Sequence, residues 1–97
     1  MLKPRPRRTA KFEHLPAKLR AARKHLGFSQ SELAAQLRIA PHYGRVSEYE
    51  RGKRTPGILT LLDYSRLAKI TVNDLVDDEI DLTQFRDALA RKESDSR

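Results

Sequence analysis

The stretch GFSQSELAAQLRIAPHYGRVSEYERGKRTP, residues 27–56, decides the fold because it contains two helix patterns separated by a short irregular connection. At its start, Ser29 and Glu32 have the spacing of a capping box, in which each side chain can bind the backbone amide of the other residue. Apolar residues then recur on one helical face: Leu33, Ala34 and Leu37. We therefore expect a helix over about residues 30–37.

The second half of this stretch predicts another short helix. Val46 and Tyr49 stand three residues apart, and Gly52 ends the pattern as glycine often does at the carboxyl end of a helix. We expect this helix over about residues 43–51, with Val46 on its inner face. Ala34 is the small residue expected where the two helices cross.

Helical periodicity continues on both sides of this pair. It predicts helices over about residues 15–26 and 58–68, and Thr71 is the expected cap of a short fifth helix. Thr83 is the expected cap of a further short helix over about residues 84–92. Because no strand pattern occurs in the sequence, the expected fold class is all-α.

Charge and composition divide the chain into parts. Residues 1–14 carry five basic residues and two prolines with almost no apolar content, which predicts a disordered basic arm. Residues 15–78 form the expected helical domain, and residues 79–97 form an acidic carboxyl-terminal extension. The net charge is +4 over residues 1–14, +6 over residues 15–56 and −3 over residues 57–97. This polarity favours an anion-facing surface over the alternative, charge that serves solubility alone.

Composition also excludes several classes of protein. A formal charge of +7 over 97 residues favours a polyanionic partner, with nucleic acid first and an acidic membrane surface second. No apolar run approaches the roughly 20 residues of a membrane-spanning helix, and the chain is too short for a large enzyme with a deep pocket. Cysteine is absent, which excludes disulfides and thiolate zinc sites and fits a reducing, cytoplasmic location.

Four segments of the chain, together with their separation along the sequence, carry a recognisable pattern. They are Leu19-Arg-Ala-Ala-Arg23, Gly27-Phe-Ser-Gln-Ser-Glu-Leu-Ala34, Val46-Ser-Glu-Tyr-Glu-Arg-Gly-Lys-Arg-Thr-Pro56 and Leu61-Leu-Asp-Tyr-Ser-Arg-Leu-Ala68. Together they resemble the phage-repressor-type helix-turn-helix domain, the Cro/C1 (XRE) family. The resemblance covers about residues 15–78. It implies a five-helix, lambda-repressor-like fold that binds duplex DNA sequence-specifically, often as a dimer on a palindrome, with a regulatory role.

Particular residues acquire roles from this resemblance. The second helix of the pair presents its outer face to base edges in the major groove, and the candidates there are Tyr43, Arg45, Ser47 and Glu48. Candidates for phosphate contacts lie at the start of the first helix and after the second: Ser29, Gln30, Arg51, Lys53 and Arg54. Arg23 and Glu50 match a buried ion pair of the family, which is structural.

Several of these roles have alternatives. Gln30 and the basic loop could be solvated instead of bound to phosphate. Glu48 could accept a hydrogen bond from cytosine N4 or orient Arg45, whose side chain could bind guanine in bidentate fashion. The basic arm could lie along a minor groove, or it could be an unbound tail that raises the attraction to DNA.

The chain departs from the family pattern between the two helices. From Leu37 to Val46 it has two residues more than usual, and Arg38 stands where a glycine usually follows the first helix. The start of the second helix is therefore open. His42 and Tyr43 could read DNA, touch phosphate or only form the longer turn.

The sequence thus predicts a cytoplasmic transcriptional regulator, a repressor, that binds double-stranded DNA as a homodimer. Two alternatives use the same scaffold: the antitoxin of a toxin–antitoxin pair, which would also bind a toxin protein, and an adaptor for protein or RNA. The dimer contacts considered are Leu82, Phe85 and Leu89, which could instead cover the monomer's own core.

The remaining polar residues give no pattern for catalysis. The three histidines lack metal-site spacing, and no glycine-rich phosphate loop occurs. The acidic residues between positions 74 and 81 do not follow calcium-loop spacing, and we interpret them as an edge that faces away from DNA. We expect no enzymatic activity, no catalytic residue, no cofactor, no metal and no membrane partner.

Overall fold

Six α-helices make up the described part of the chain, and no strand occurs there. The computed structural model describes residues 12–39, 42 and 44–95. The helices are α1 (Leu15–Leu26), α2 (Gln30–Gln36), α3 (Gly44–Glu50), α4 (Ile58–Ala68), α5 (Val72–Val76) and α6 (Leu82–Asp95). The predicted all-α fold class is confirmed, and α1 and α4 have the predicted bounds.

Local hydrogen bonds explain where the helices begin and end. Gly27 closes α1 in the left-handed conformation, with φ 77°, and its amide donates to carbonyls of the last turn. Ser29 and Glu32 form the predicted capping box, with bonds of 2.8 and 3.1 Å between each side chain and the other's amide. These bonds lower the pKa of Glu32. Thr71 caps α5 in the same way with Asp74.

α6 begins two residues before the helix predicted over about 84–92 and runs to Asp95. Its cap is Asp81 and not Thr83. The Asp81 carboxylate accepts from the Gln84 amide at 2.9 Å, and the Gln84 side-chain oxygen accepts from the Asp81 amide at 2.8 Å. The prediction of Thr83 was wrong because it overlooked this Asp–Gln capping box, which starts the helix earlier.

The core surrounds α1, which packs against α3, α4, α5 and α6. The fully buried side chains at its centre come from every helix: Leu19, Ala22, Leu33, Ala34, Val46, Tyr64, Leu75 and Phe85. Removal of this apolar surface from water is the main term that stabilises the fold. Phe85 and Leu89 of α6 are 0% and 3% exposed inside this core, and Leu82 is half-buried against it. Phe85 and Leu89 therefore cover their own monomer and are not available to a second copy.

Lys18 is a buried cation that the sequence analysis did not anticipate. Its Nζ donates to the backbone carbonyls of Asp74 and Asp77 at 2.9 Å each, and it lies 5.7 Å from the ring centroid of Phe85. Burial lowers the pKa of Lys18, while the nearby carboxylates of Asp78 and Asp77 oppose that shift. Lys18 thereby ties α1 to the end of α5 and to α6.

Asp78 fixes the start of α1. Its carboxylate accepts from the backbone amides of Glu13 and His14 at 3.0 and 3.1 Å, where α1 has no side-chain cap of its own. Although desolvation opposes it, this pair of hydrogen bonds lowers the pKa of Asp78. Glu13 and His14 are thus held against the domain, and the rest of the predicted disordered arm, residues 1–11, lies outside the described residues.

Candidate nucleic-acid interface

α2 and α3 pack directly against each other, and the two residues expected at their contact are buried. Ala34 and Val46 are both 0% exposed, as predicted. The small Ala34 side chain lets the helices approach, and Val46 anchors the inner face of α3. Arg45, Ser47 and Glu48 lie outside this buried face of α3, and their side chains are half-buried.

A buried ion pair joins the end of α3 to α1. The Glu50 carboxylate accepts from Arg23 Nε at 2.7 Å and from Arg23 Nη2 at 3.1 Å, and the two side chains are only 4% and 13% exposed. Arg23 Nη1 also donates to the Phe28 carbonyl at 2.8 Å. The hydrogen bond to Glu50 raises the pKa of Arg23. The pair implied by the family resemblance is thus formed, and its bidentate geometry sets the direction of α3.

Gln30 extends this network to α2. Its Nε2 donates to Glu50 Oε1 at 3.2 Å, so α1, α2 and α3 meet at one carboxylate. The neighbouring Ser29 is exposed, with its hydroxyl oxygen already accepting from the Glu32 amide. Gln30 therefore braces α3 within the protein, whether or not it also contacts a phosphate.

On the outer face of α3, two of the predicted base-reading residues contact predicted phosphate-binding residues. Ser47 accepts from Arg51 Nε at both its hydroxyl, at 3.1 Å, and its carbonyl, at 3.3 Å. Glu48 accepts from Arg54 Nε at 3.1 Å. These contacts are exposed and therefore weak, so a duplex can compete for both arginines.

Among the basic residues of α3 and the loop that follows it, Arg45 and Lys53 are the two whose side chains have no hydrogen bond or ion pair to any described residue. Arg45 is half-buried near the start of α3, and Lys53 is exposed in the following loop. An arginine on the outer face of a groove-binding helix can reach the O6 and N7 atoms of guanine. A lysine in an exposed loop suits a phosphate, which it binds as a point charge.

The loop after α3 is held close to the helix by backbone bonds. Gly52 has φ 73°, and the amides of Lys53 and Arg54 donate to the Glu48 carbonyl at 2.9 and 3.4 Å. Arg51 also lies in this turn, so three exposed basic side chains project within one turn of the end of α3. We call Arg45 together with these three residues the basic ridge.

The connection between α2 and α3 contains an arginine in a conformation that favours glycine. Arg38 has φ 58°, and Ile39 and Arg38 donate to carbonyls of α2 as the helix ends. This conformation suits the glycine that the family resemblance leads us to expect at this position. Tyr43, a predicted base-reading residue, lies outside the described residues, whereas His42 is exposed.

Three acidic residues between positions 74 and 81 have structural roles. The Asp74 carboxylate completes the capping box of Thr71 at the start of α5, Asp81 caps α6, and Asp78 binds the amides before α1. Sequence analysis missed these roles, although the Thr71–Asp74 and Asp81–Gln84 spacings carry the signal of a capping box. In the described part of the chain, no group of three or more His, Asp or Glu side chains could hold a metal ion.

Comparison with protein families agrees with this geometry. The sequence model of a family described as Helix-turn-helix matches residues 19–75, more than half of the chain. The chain therefore belongs to the Cro/C1-type (XRE) helix-turn-helix family, whose members are DNA-binding regulators. Comparisons with curated proteins and with solved structures give no match. Among the described residues, no helix is long and apolar enough to cross a membrane.

Proposed function

We propose that this protein is a sequence-specific regulator of transcription that reads the major groove of duplex DNA with α3 and acts as a repressor. The observation that carries the proposal is the basic ridge on a helix whose rear is fixed by Val46 and Glu50. A cationic surface supplies affinity for phosphates, and a rigid helix supplies the register for base contacts.

We assign different DNA contacts to the residues of the basic ridge. Arg45 contacts a base edge, Glu48 lies about one turn after it on the same side of α3, and Ser47 next to Glu48 is a further candidate for a base contact. Arg51, Lys53 and Arg54 bind phosphates, as do Ser29 and Gln30 at the start of α2. His42 and Tyr43, which precede α3, are not assigned a partner.

We further propose that the protein acts in the cytoplasm and binds its site as a homodimer. A single domain of this size covers too little DNA for tight specificity, and two copies on a symmetric site double the contact. In this proposal the basic ridge, with its four positive charges, is the surface that attracts DNA.

Selection of bound duplexes from a random pool tests the proposal, since it reveals a preferred sequence and its symmetry. Arg45→Ala should weaken binding to the selected duplex by roughly 1–3 kcal/mol and relax the preference at one position. Lys53→Ala, the matched control, should weaken binding to all duplexes alike and lower the salt slope by about one. A pool that yields no preferred sequence, or two variants that behave alike, would contradict the assignment.

A further inference from the structure

The most exposed large apolar side chains in the described residues are two neighbours at the start of α4. Ile58 is 68% exposed and Leu59 is 74% exposed. The face of α4 that packs into the core begins at Leu61, so these two residues form no part of it. Leu62, one turn after Ile58 and Leu59, is half-buried and extends the apolar surface. We call Ile58, Leu59 and Leu62 the α4 patch.

The α4 patch also lacks charge. Residues 55–62 contain no charged side chain, although 34% of the whole chain is charged. In a symmetric dimer the same surface meets itself, so a charge near the two-fold axis would face its own copy. The α4 patch is therefore a surface of this +7 chain on which a second copy can approach with little repulsion, and the charges that follow it on α4, Asp63 and Arg66, have opposite signs.

The position of the α4 patch next to the basic ridge points to DNA as the agent that brings two copies together. Ile58 follows Arg54 by four residues, which limits the distance between their Cα atoms to about 15 Å. Apolar side chains gain nothing from phosphates, but they come into reach of a neighbouring copy when both copies occupy adjacent sites on one duplex.

The size of the patch decides when the two copies associate. A stable interface uses roughly 20–30 residues on each side, and the α4 patch offers three apolar side chains. Such a contact is too small to hold a free dimer. It becomes effective when a shared duplex raises the local concentration of the second copy.

We infer that the α4 patch is the contact between two copies of this chain on DNA, and that it makes their binding cooperative while the free protein is a monomer. This inference rests on the proposed DNA-binding function. It replaces Phe85 and Leu89 of α6, which are buried in the monomer, as the dimer surface.

Cross-linking tests the contact directly because the chain has no cysteine. Leu59→Cys introduces one thiol in the first turn of α4. Thr83→Cys introduces one at an exposed, uncharged position in the first turn of α6 as the matched control. On a mixed-sequence duplex of roughly 40 base pairs, room for several half-sites, the Leu59→Cys protein should form disulfide-linked dimers at least about tenfold faster than the control. Equal rates for the two variants would overturn the inference.

A second variant distinguishes a protein contact from a DNA contact. Ile58→Gln with Leu59→Gln should bind a short duplex that holds one copy as well as the wild type does. On the long duplex it should lose cooperativity and bind about tenfold more weakly. An equal loss of affinity on both duplexes would mean that the α4 patch contacts DNA. Unchanged cooperativity on the long duplex would mean that the α4 patch is not the contact between the two copies. If the random pool yields no preferred sequence while Leu59→Cys still cross-links on DNA, the proposed function fails and the contact stands.

Discussion

Replacement of Glu50 by Ala should lower the free energy of unfolding by about 3 kcal/mol. The change removes the acceptor of three side-chain hydrogen bonds and leaves the Arg23 guanidinium, 13% exposed, without its counter-ion. Two unit charges about 4 Å apart interact by about 4 kcal/mol at an effective dielectric constant of 20, and breaking a buried pair costs about 3–5 kcal/mol. We expect the lower end because Arg23 keeps its bond to the Phe28 carbonyl.

A double-mutant cycle separates stability from positioning. Arg23→Met alone leaves the Glu50 carboxylate, only 4% exposed, with the Gln30 amide as its hydrogen-bond donor, so a loss of similar size is expected. Arg23→Met combined with Glu50→Ala removes both charges and should lose less than the sum of the single changes by at least about 2 kcal/mol. The double variant should nevertheless bind DNA about tenfold more weakly, since α3 loses the bidentate contact that fixes its direction.

Urea unfolding followed by circular dichroism at neutral pH measures the stabilities, and titration with the selected duplex measures the affinity. Additive losses of stability would refute the view that Arg23 and Glu50 act as one unit. Full DNA affinity in a stable double variant would refute the positioning role. If the double variant loses as much free energy of unfolding as Glu50→Ala does, the lost hydrogen bonds, and not the unpaired charge, account for most of the loss.

Three further changes have expected outcomes. Glu48→Gln should strengthen binding to non-preferred duplexes several-fold and reduce discrimination in a binding assay, because it removes a carboxylate that faces the polyanion and releases Arg54. Asp78→Ala should cost about 1 kcal/mol in urea unfolding at pH 7. The lowered pKa of Asp78 means that this difference persists above about pH 4 and disappears as the pH falls through the folded-state value. Arg38→Gly should stabilise the protein by about 0.5–1 kcal/mol in thermal unfolding, since φ 58° disfavours arginine and its exposed pair with Asp63, at 3.6 Å, contributes little.

The helices could be predicted from sequence because their determinants lie within a few residues of one another. Ser29 and Glu32 are three residues apart, and so are Thr71 and Asp74, so both capping boxes are visible in the sequence. The pair Arg23–Glu50 spans 27 residues and was accessible only through the family resemblance. The inner positions of Ala34 and Val46 followed from helical spacing.

Contacts between distant parts of the chain could not be predicted in this way. The Asp78 carboxylate binds the amide of Glu13, 65 residues away, and no local pattern marks such a partner. Lys18 lies one turn after Leu15 on the apolar stripe of α1, but a lysine there is normally expected to reach solvent. Its burial depends on the carbonyls of Asp74 and Asp77, which only the folded arrangement places beside it.

The structure distinguishes two of the residues that we propose contact DNA. Arg45 has no partner among the described residues, whereas Arg54 is held by Glu48 in the free protein. DNA binding at the basic ridge therefore requires an exchange of partners for Arg54 but not for Arg45. The assignment of Arg45 to a base and of Arg54 to a phosphate also predicts that the two contacts respond differently to salt. Only the phosphate contact releases counter-ions.

The central claim is that α3 and the loop that follows it form the DNA-binding surface. The most direct measurement is a nuclear magnetic resonance titration of the labelled protein with a duplex, in which each backbone amide reports on its own surroundings. The account predicts shifts at residues 29–30 and 44–54, and unchanged signals along α5 and in residues 82–90 of α6. Shifts concentrated on the acidic residues 74–81, or no shifts with a duplex at low salt, would contradict it.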